Sequence, residues 1–214
     1  GGQLLIDIGL KFSNKSSGGP AKAAIISSSL MGMISGSAVA NVSTTGVMTI
    51  PMMKKVGYTP EQAGAIEAVA STGGQIMPPI MGIGAFIMAE MLGVPYKTVA
   101  FSAIIPAVAY YLSIFLFVTF IAQKQRVAKA SAETAIEVDV IIPRLYMLLP
   151  AIILVYYMVS GASLMRSGMM GIYAAIGVNV VNRFVLGGKY YVSLKSLFES
   201  ALKGARQAAD IAIP

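Results

Sequence analysis

The chain has 214 residues, of which 56% are hydrophobic and only 12% are charged. Ordinary soluble domains carry about 25% charged residues, so this composition argues strongly against a soluble monomer and predicts an integral membrane protein. The absence of cysteine and histidine excludes disulfides, thiolate or imidazole metal sites and a Ser-His-Asp triad. The net charge of +7 is explained by basic cytoplasmic loops more simply than by nucleic-acid binding.

Long uncharged runs separate the charged residues, and a spanning helix needs about 20 apolar residues. These runs predict an all-α integral membrane protein. In chain order we expect a cytoplasmic-side amphipathic or linker segment at 1–22, a re-entrant hairpin and broken transmembrane helix at 23–95, a transmembrane helix at 96–123, a surface linker or arm at 124–144, two transmembrane helices at 145–183, and an interfacial amphipathic helix at 184–214.

The uncharged run 23–53 differs from an ordinary spanning helix. Its middle, residues 35–46, reads SGSAVANVSTTG and is small and polar. A lipid-facing helix would not place such residues at mid-depth, whereas two half-length helices joined by a polar tip would. Because a non-helical tip is tolerated only inside protein or beside a cavity, the run predicts a re-entrant hairpin.

A second interruption lies in residues 61–92. The apolar pattern is broken by the segment STGGQ at 71–75 and then by Pro78 and Pro79. Each proline removes a helical hydrogen-bond donor and disfavours helical geometry in the residue before it. The pattern therefore predicts a broken helix with an unwound segment near the membrane midplane.

The distribution of lysine and arginine supports the hairpin. If 23–53 turns back, 14 of the 16 basic residues fall on one side of the membrane, and only Lys97 and Arg166 fall on the other. If 23–53 crosses the membrane fully, five of the basic residues fall on one side and eleven on the other. The positive-inside rule favours the sharper segregation and makes the basic side cytoplasmic.

Three stretches resemble the large membrane (permease) subunit of TRAP transporters, the tripartite ATP-independent periplasmic transporters of bacteria and archaea. Residues 31–58 are similar to that family's hairpin motif, and residues 62–79 to its broken helix with a double proline. Residues 91–123 are most similar to the TAXI branch, in which small and large membrane subunits are often fused. The resemblance is closest over 1–124, and it indicates an internal segment that covers the first hairpin half of a longer chain.

This resemblance implies a multi-pass permease of the bacterial or archaeal cytoplasmic (inner) membrane, which imports organic acid anions with sodium by an elevator-type movement. The implied partners are a periplasmic substrate-binding protein, a small membrane subunit or its fused equivalent, and the lipid bilayer. Neither an enzymatic activity nor a nucleic-acid partner is expected. The alternatives are another sodium- or proton-coupled secondary transporter and a non-transporting membrane scaffold subunit.

Sodium is the expected coupling ion, and neutral oxygen ligands suffice for a weak, reversible sodium site. A broken helix also exposes unpaired carbonyls at a negative dipole end. The alternative is that the small residues at these positions only permit close helix packing. The candidate sodium ligands are Ser35, Gly36, Ser37, Asn41, Ser71, Thr72 and Gly74.

No lysine or arginine lies inside a candidate membrane segment of this chain. An anionic substrate would therefore be held by helix N-termini, hydroxyls and amides, by bound sodium, or by residues elsewhere. Thr44 and Thr45 have an alternative role, hydrogen bonding to their own helix. The candidate substrate contacts are Ser43, Thr44, Thr45 and Gln75.

Two carboxylates border the uncharged part of the broken helix. Glu67 lies near the basic loop and Glu90 near the opposite interface, so we expect both to be solvated or interfacial. A carboxylate inside the membrane is by default a candidate functional group. Proton coupling at Glu67 therefore stands as the alternative.

Overall fold

The computed structural model describes residues 2–13, 18–125 and 142–184, together with Phe198, Glu199 and Leu202. These residues form helices and connecting turns without a β-strand, which confirms the all-α prediction for this part of the chain. The predicted linker at 124–144 and the predicted interfacial helix at 184–214 lie largely outside the described residues. The helices are α1 Gly2–Ser13, α2 Gly19–Ser35, α3 Ala38–Lys55, α4 Pro60–Thr72, α5 Ile83–Leu92, α6 Tyr96–Lys124, α7 Leu149–Val159 and α8 Leu164–Phe184.

Helices α2 and α3 form a helical hairpin that turns at Gly36 and Ser37. Gly36 takes the left-handed conformation with φ 61° and its N–H donates to the Gly32 carbonyl, which ends α2. The Ser37 hydroxyl then accepts from the Ala40 N–H at 3.3 Å and caps α3. Residues 23–53 are therefore two helices and a turn, as their small polar centre predicts.

The hairpin helices are longer than the half-length segments expected from the uncharged run. They contain 17 and 18 residues, or about 26 Å each at 1.5 Å per residue. The extra length arises because α2 begins at Gly19, before the uncharged run, with Pro20 in its first turn.

Lys22 lies within the first turn of α2. Its side chain is 6% exposed, and its ammonium group lies 5.2 Å from the centre of the Phe115 ring.

Helix α4 begins with a capping box and ends where the sequence predicts a break. The Thr59 hydroxyl accepts from the Gln62 N–H at 3.3 Å, and the Gln62 side chain accepts from the Thr59 N–H at 3.2 Å. The helix stops at Thr72 and gives way to a short 3₁₀ turn, Gly73–Gln75. An irregular loop follows until α5 begins, and in it the Gly82 N–H donates to the Gln75 carbonyl at 2.7 Å. The chain therefore leaves helical geometry at the position where the sequence predicts a break.

Helix α6 supports the hairpin and the break from one side, and α1 packs against α2 from another. Small residues dominate the shared core, and they allow helix backbones to approach closely. The fully buried members are Ala21, Ala24, Ala63, Ala70, Ala107, Ala122, Met53 and Val118.

Among the described residues, α6 is the one helix that is long and apolar enough to cross a membrane. Its 29 residues correspond to about 43 Å, and Pro106 lies inside it without ending it. Only 22% of its most apolar window is buried within the chain. Large apolar side chains project from the uncovered face, including Phe101, Ile105, Phe117 and Phe120.

The predicted helix pair at 145–183 is present, with different bounds. Helix α7 covers only 11 residues because a 3₁₀ segment, Ile142–Leu148, precedes it and Gly161 takes a left-handed φ of 84° soon after its end. Helix α8 has 21 residues. Of its glycines, Gly171 contacts Leu154 on α7, whereas Gly168 and Gly177 face open space.

Candidate ion and substrate site

The turn of the α2–α3 hairpin packs directly on the broken end of α4. A Cβ atom placed on Gly32 would lie 2.2 Å from the Cα atom of Gly74. A Cβ atom on Gly36 would lie 1.9 Å from the carbonyl oxygen of Met81. Both contacts require glycine, because any side chain would separate the two backbones. The two elements that the sequence predicts to meet are thus in contact.

Asn41, in the first turn of α3, is fully buried at this junction. Its Nδ2 donates to the Ser28 carbonyl at 2.8 Å and lies 3.5 Å from the Ser71 carbonyl. This pattern fixes the amide orientation, since a flipped amide would place two acceptors together. The Oδ1 atom is buried without a hydrogen-bond partner among the described residues. A buried unpaired acceptor costs about 1–3 kcal/mol, so Oδ1 is suited to a cation.

The remaining candidate sodium ligands occupy different positions around Asn41. Ser35 and Ser37 are half-buried at the turn, and the Ser35 hydroxyl accepts from the Ser37 N–H at 3.4 Å. The Ser71 hydroxyl lies 3.1 Å from the Glu67 carboxylate, so Ser71 presents its carbonyl to Asn41. Thr72 is exposed, and its hydroxyl donates to the Ala68 carbonyl at 2.8 Å.

Helices α2 and α4 both end at this junction, at Ser35 and Thr72. The last turn of a helix leaves carbonyl groups without intrahelical partners and carries the negative end of the helix dipole. These two ends lie where the hairpin turn contacts the broken helix, and Nδ2 of Asn41 reaches the Ser71 carbonyl in the last turn of α4.

The candidate substrate contacts are distributed over the surface and the interior. Ser43 and Thr44 are exposed on α3, and their hydroxyls donate to the carbonyls of Val39 and Ala40 at 2.8 Å each. The backbone role considered for Thr44 is therefore present. Gln75 is exposed at the break. Thr45 is fully buried, with its hydroxyl 2.9 Å from the Asn41 carbonyl and in contact with Glu67.

The expectation that Glu67 is solvated or interfacial is wrong, because its side chain is 0% exposed. Helix α4 begins at Pro60, so Glu67 lies two turns inside it and faces α2 and α3. The closeness of Glu67 to the basic loop in the sequence does not reveal which way its side chain points. The spacing of Thr45 and Thr49 places two hydroxyls on one face of α3, and this pattern could have indicated a buried polar partner. Glu90 is exposed, as expected.

A cavity of about 570 Å³ adjoins the break, between the hairpin, α6 and α7. Its walls are almost entirely apolar and include Met33, Ile34, Pro79 and Ile152, with Lys97 among the lining residues. Lys97, at the start of α6, is the one charged residue among the described residues that line it.

The base of the hairpin is closed by Tyr58, in the loop between α3 and α4. Tyr58 is 3% exposed, and its hydroxyl has no hydrogen-bond partner among the described residues. Burial raises the pKa of Tyr58 to about 12, so its phenol stays neutral at physiological pH. A Cβ atom on Gly18 would lie 2.6 Å from both the Tyr58 hydroxyl and the Ala122 Cβ, so this contact joins three helix ends.

Comparison with known proteins identifies the family. Residues 1–213 match the model of the DctM component of the tripartite ATP-independent periplasmic transporters. The chain belongs to this family. This DctM-family chain is 27% identical over 134 residues to an uncharacterised protein, y4mL, of Sinorhizobium fredii, a match covering 63% of the chain and 32% of that protein.

A second relative of this DctM-family chain comes from Haemophilus influenzae, and its assignment as a TRAP transporter large permease protein is itself provisional. It is 32% identical over 104 residues, covering 49% of the chain and 24% of that protein. The chain thus matches about a third and a quarter of the lengths of these two relatives. Family membership, the helical architecture and the apolar outer face of α6 together agree with a membrane-embedded permease segment.

Proposed function

We propose that this DctM-family chain is a segment of a sodium-coupled tripartite secondary transporter that imports organic acid anions across a bacterial or archaeal cytoplasmic membrane. The observation that carries the proposal is the buried, unpaired Oδ1 atom of Asn41 at the junction of the hairpin and the broken helix. Family membership supports the transport class. A non-transporting scaffold would have no use for an unpaired acceptor in its interior.

In this proposal the hairpin turn and the broken helix share one sodium ion. Asn41 supplies Oδ1, and the ends of α2 and α4 supply backbone carbonyls and hydroxyl oxygens from Ser35, Gly36, Ser37, Ser71, Thr72 and Gly74. The chemistry fits sodium, because a set of neutral oxygens binds a monovalent cation weakly enough to release it. Sodium binding would hold the hairpin turn against the broken helix. The geometry of the site would therefore depend on whether sodium is bound.

The anion would bind where helix N-termini meet. Helix α3 begins at Ala38 and α5 at Ile83, and the Gly36–Met81 contact brings these two starts together. Helix N-termini carry free N–H groups and a positive dipole end, which together bind anions. We propose Ser43, Thr44 and Gln75 as additional polar contacts, since they are exposed near these starts, and Thr45 as a support behind them.

The proposed cycle requires partners beyond this chain. A periplasmic substrate-binding protein would deliver the anion, and a small membrane subunit or a fused equivalent would complete the scaffold. The hairpin and broken helix would move together as one body, elevator-fashion. Their close contact at Gly32 and Gly74 supports joint movement, because closely packed interiors transmit a displacement from one element to the next.

The test is sodium-driven uptake by the full-length transporter in proteoliposomes with its binding protein. Asn41→Ala should raise the sodium concentration for half-maximal uptake about tenfold, equivalent to ~1.4 kcal/mol for one lost ligand. Thr72→Val should give a smaller rise, because the Thr72 hydroxyl already donates to Ala68. Ser160→Ala, which removes a hydroxyl that donates to the Tyr156 carbonyl at 2.7 Å outside the proposed site, is the control for sodium dependence. An unchanged sodium response in Asn41→Ala would refute the site.

A further inference from the structure

Two cavities meet at the start of α6 and form one cleft. The first is the apolar cavity of about 570 Å³ beside the break. The second, of about 490 Å³, lies between the end of α5 and the loop that joins α7 to α8. Tyr96, Lys97 and Met158 line both cavities, so the two volumes adjoin. Each volume is within the range of about 300–1,000 Å³ that is usual for small-molecule sites.

The apolar cavity follows α6 for the depth of one membrane leaflet. Its lining on this helix begins at Lys97, in the first turn, and reaches Val108, with Phe101 and Ile104 between them. This length of helix corresponds to about 16 Å, or roughly half of the hydrocarbon core of a bilayer. Phe101, Ile104 and Val108 are each at least 43% exposed. The cavity therefore opens on the uncovered apolar face of α6, where a molecule in the bilayer can enter it.

The second cavity adds two opposite charges at the mouth of the apolar one. Glu90, in the last turn of α5, and Lys97 both line it, and both are exposed. Neither charge forms an ion pair among the described residues, although the two border the same cavity. A molecule that carries one positive and one negative group can pair with both. Ser163 also lines this cavity, and its hydroxyl accepts from the Arg166 N–H at 3.3 Å, so the positive dipole end of α8 lies there as well.

Tyr96 fixes the wall that the two cavities share. Its hydroxyl donates to the Pro79 carbonyl at 2.9 Å, and its ring stacks on the ring of Phe86 with the centroids 4.3 Å apart. Tyrosine is enriched at the level of the lipid headgroups, because its ring is apolar and its hydroxyl is polar. The start of the spanning helix α6 thus lies at headgroup level, with the charged cavity beside it and the apolar cavity deeper.

We propose that this cleft binds one phospholipid with an amine headgroup, of the phosphatidylethanolamine class. The lipid phosphate pairs with Lys97 and the start of α8, and the lipid ammonium group pairs with Glu90. One acyl chain fills the apolar cavity, where it contacts Ile34 of the hairpin and Ile152 of α7. A headgroup that carries only negative charge fits less well, because Glu90 would then face an anion without a positive partner.

The test uses the full-length transporter in detergent and phosphatidylethanolamine that carries a photoreactive diazirine in one acyl chain. After irradiation, peptide mass spectrometry should find the label on the walls of the apolar cavity, at Met33 or Ile34 on α2 or at Ile152 on α7. Phosphatidylglycerol with the same labelled chain should require a higher concentration for half-maximal labelling. Label found only on other surfaces, or equal labelling by the two lipids, would overturn the proposal.

Three substitutions of exposed residues test the headgroup contacts. Lys97→Gln should raise the phosphatidylethanolamine concentration for half-maximal labelling about fivefold, equivalent to ~1 kcal/mol for one basic residue at a lipid headgroup. Glu90→Gln should abolish the preference for phosphatidylethanolamine over phosphatidylglycerol. Lys124→Gln, at the opposite end of α6, is the matched control and should change neither quantity. An unchanged concentration in Lys97→Gln, or an equal rise in Lys124→Gln, would contradict the assigned phosphate contact.

Other occupants of the cleft give different results. If another part of the transporter fills the apolar cavity, Met33, Ile34 and Ile152 stay unlabelled in the wild type, and the lipid site is wrong. An excess of hexanoate, a small organic acid anion, should leave the labelling unchanged, and loss of the label would assign the cavity to an organic acid instead. Labelling requires no sodium. Failure of the proposed sodium site would therefore appear separately, as an unchanged sodium response of uptake in Asn41→Ala.

Discussion

The hydroxyl of Tyr111 donates to the carbonyl of Ala70 at 2.9 Å and so joins α6 to the last turn of α4. The adjacent Tyr110 donates to the Val69 carbonyl at the same distance. Gly73 makes room for both rings, since a Cβ atom there would lie 2.3 Å from Tyr110 Cε1. The long apolar helix α6 thus holds the point at which α4 breaks.

Tyr111→Phe should weaken the attachment of α6 to α4 with little change in the shape of the side chain. Removing the buried hydroxyl leaves the Ala70 carbonyl without that donor, at a cost of about 1–1.5 kcal/mol in the free energy of unfolding. Tyr110→Phe is the matched control, because Tyr110 is half-buried and water can replace part of its bond. Thermal unfolding in detergent measures both. A larger loss in Tyr110→Phe than in Tyr111→Phe would contradict this account.

The Gly32–Gly74 contact is expected to be more sensitive to substitution. Gly32→Ala would place a methyl group against the Gly74 backbone and force the hairpin away from the break. Overpacking of this kind costs about 1–3 kcal/mol, and uptake should fall because the proposed cation site spans the same contact. Thermal unfolding and uptake of the full-length transporter are the measurements.

Gly64→Ala is the control for that substitution. Gly64 lies in α4, and a Cβ atom there meets nothing within 4 Å. Alanine in a helix interior is favoured over glycine by about 0.5–1 kcal/mol, so Gly64→Ala should preserve or raise the melting temperature. Equal losses in the two variants would show that the close contact does not determine the stability of the junction.

Cysteine labelling can determine whether the hairpin enters and leaves on one membrane face. These 214 residues contain no cysteine, so they contribute no background labelling. Lys11→Cys, at the exposed end of α1, and Lys55→Cys, at the exposed end of α3, should both react with a membrane-impermeant reagent from the cytoplasmic face. Val39→Cys, which is 77% exposed beside the turn, should not react from that face. Reaction of Lys11→Cys and Lys55→Cys from opposite faces would eliminate the re-entrant hairpin.

The turn at Gly36 and the break after Thr72 could be predicted because local backbone preferences determine them. Glycine permits the left-handed φ at Gly36, and the glycine pair followed by Pro78 and Pro79 interrupts the helix within a few residues. These signals need no knowledge of the tertiary fold. The candidate sodium ligands come from both elements, and the structure brings these elements into contact at Gly32 and Gly74.

The position of Glu67 could not be predicted in this way. Its partners lie 39 residues before it at Ser28 and 18 before it at Thr49, so its burial depends on how α2, α3 and α4 rotate against one another. Charge spacing thus predicted the depth of Glu67 in the membrane, whereas helix packing determined its environment. Helix α7 has 11 residues, fewer than a spanning helix needs, because an uncharged run gives hydrophobicity but not the end of the helix.

Thr49→Val tests the contact between α3 and the buried Glu67 side chain with little change in volume. The Thr49 hydroxyl lies 2.5 Å from a Glu67 carboxyl oxygen, and both side chains are at most 1% exposed. Losing one partner of a buried hydrogen bond costs about 1–3 kcal/mol, so the melting temperature measured in detergent should fall.

Thr44→Val is the matched control for Thr49→Val on the same helix. Its hydroxyl is exposed and donates to the Ala40 carbonyl of its own helix, so its loss should change the melting temperature little. An equal fall in both variants would mean that the hydrogen bond between Thr49 and Glu67 does not stabilise the packing of the hairpin against α4, because the Thr44 hydroxyl bonds within its own helix.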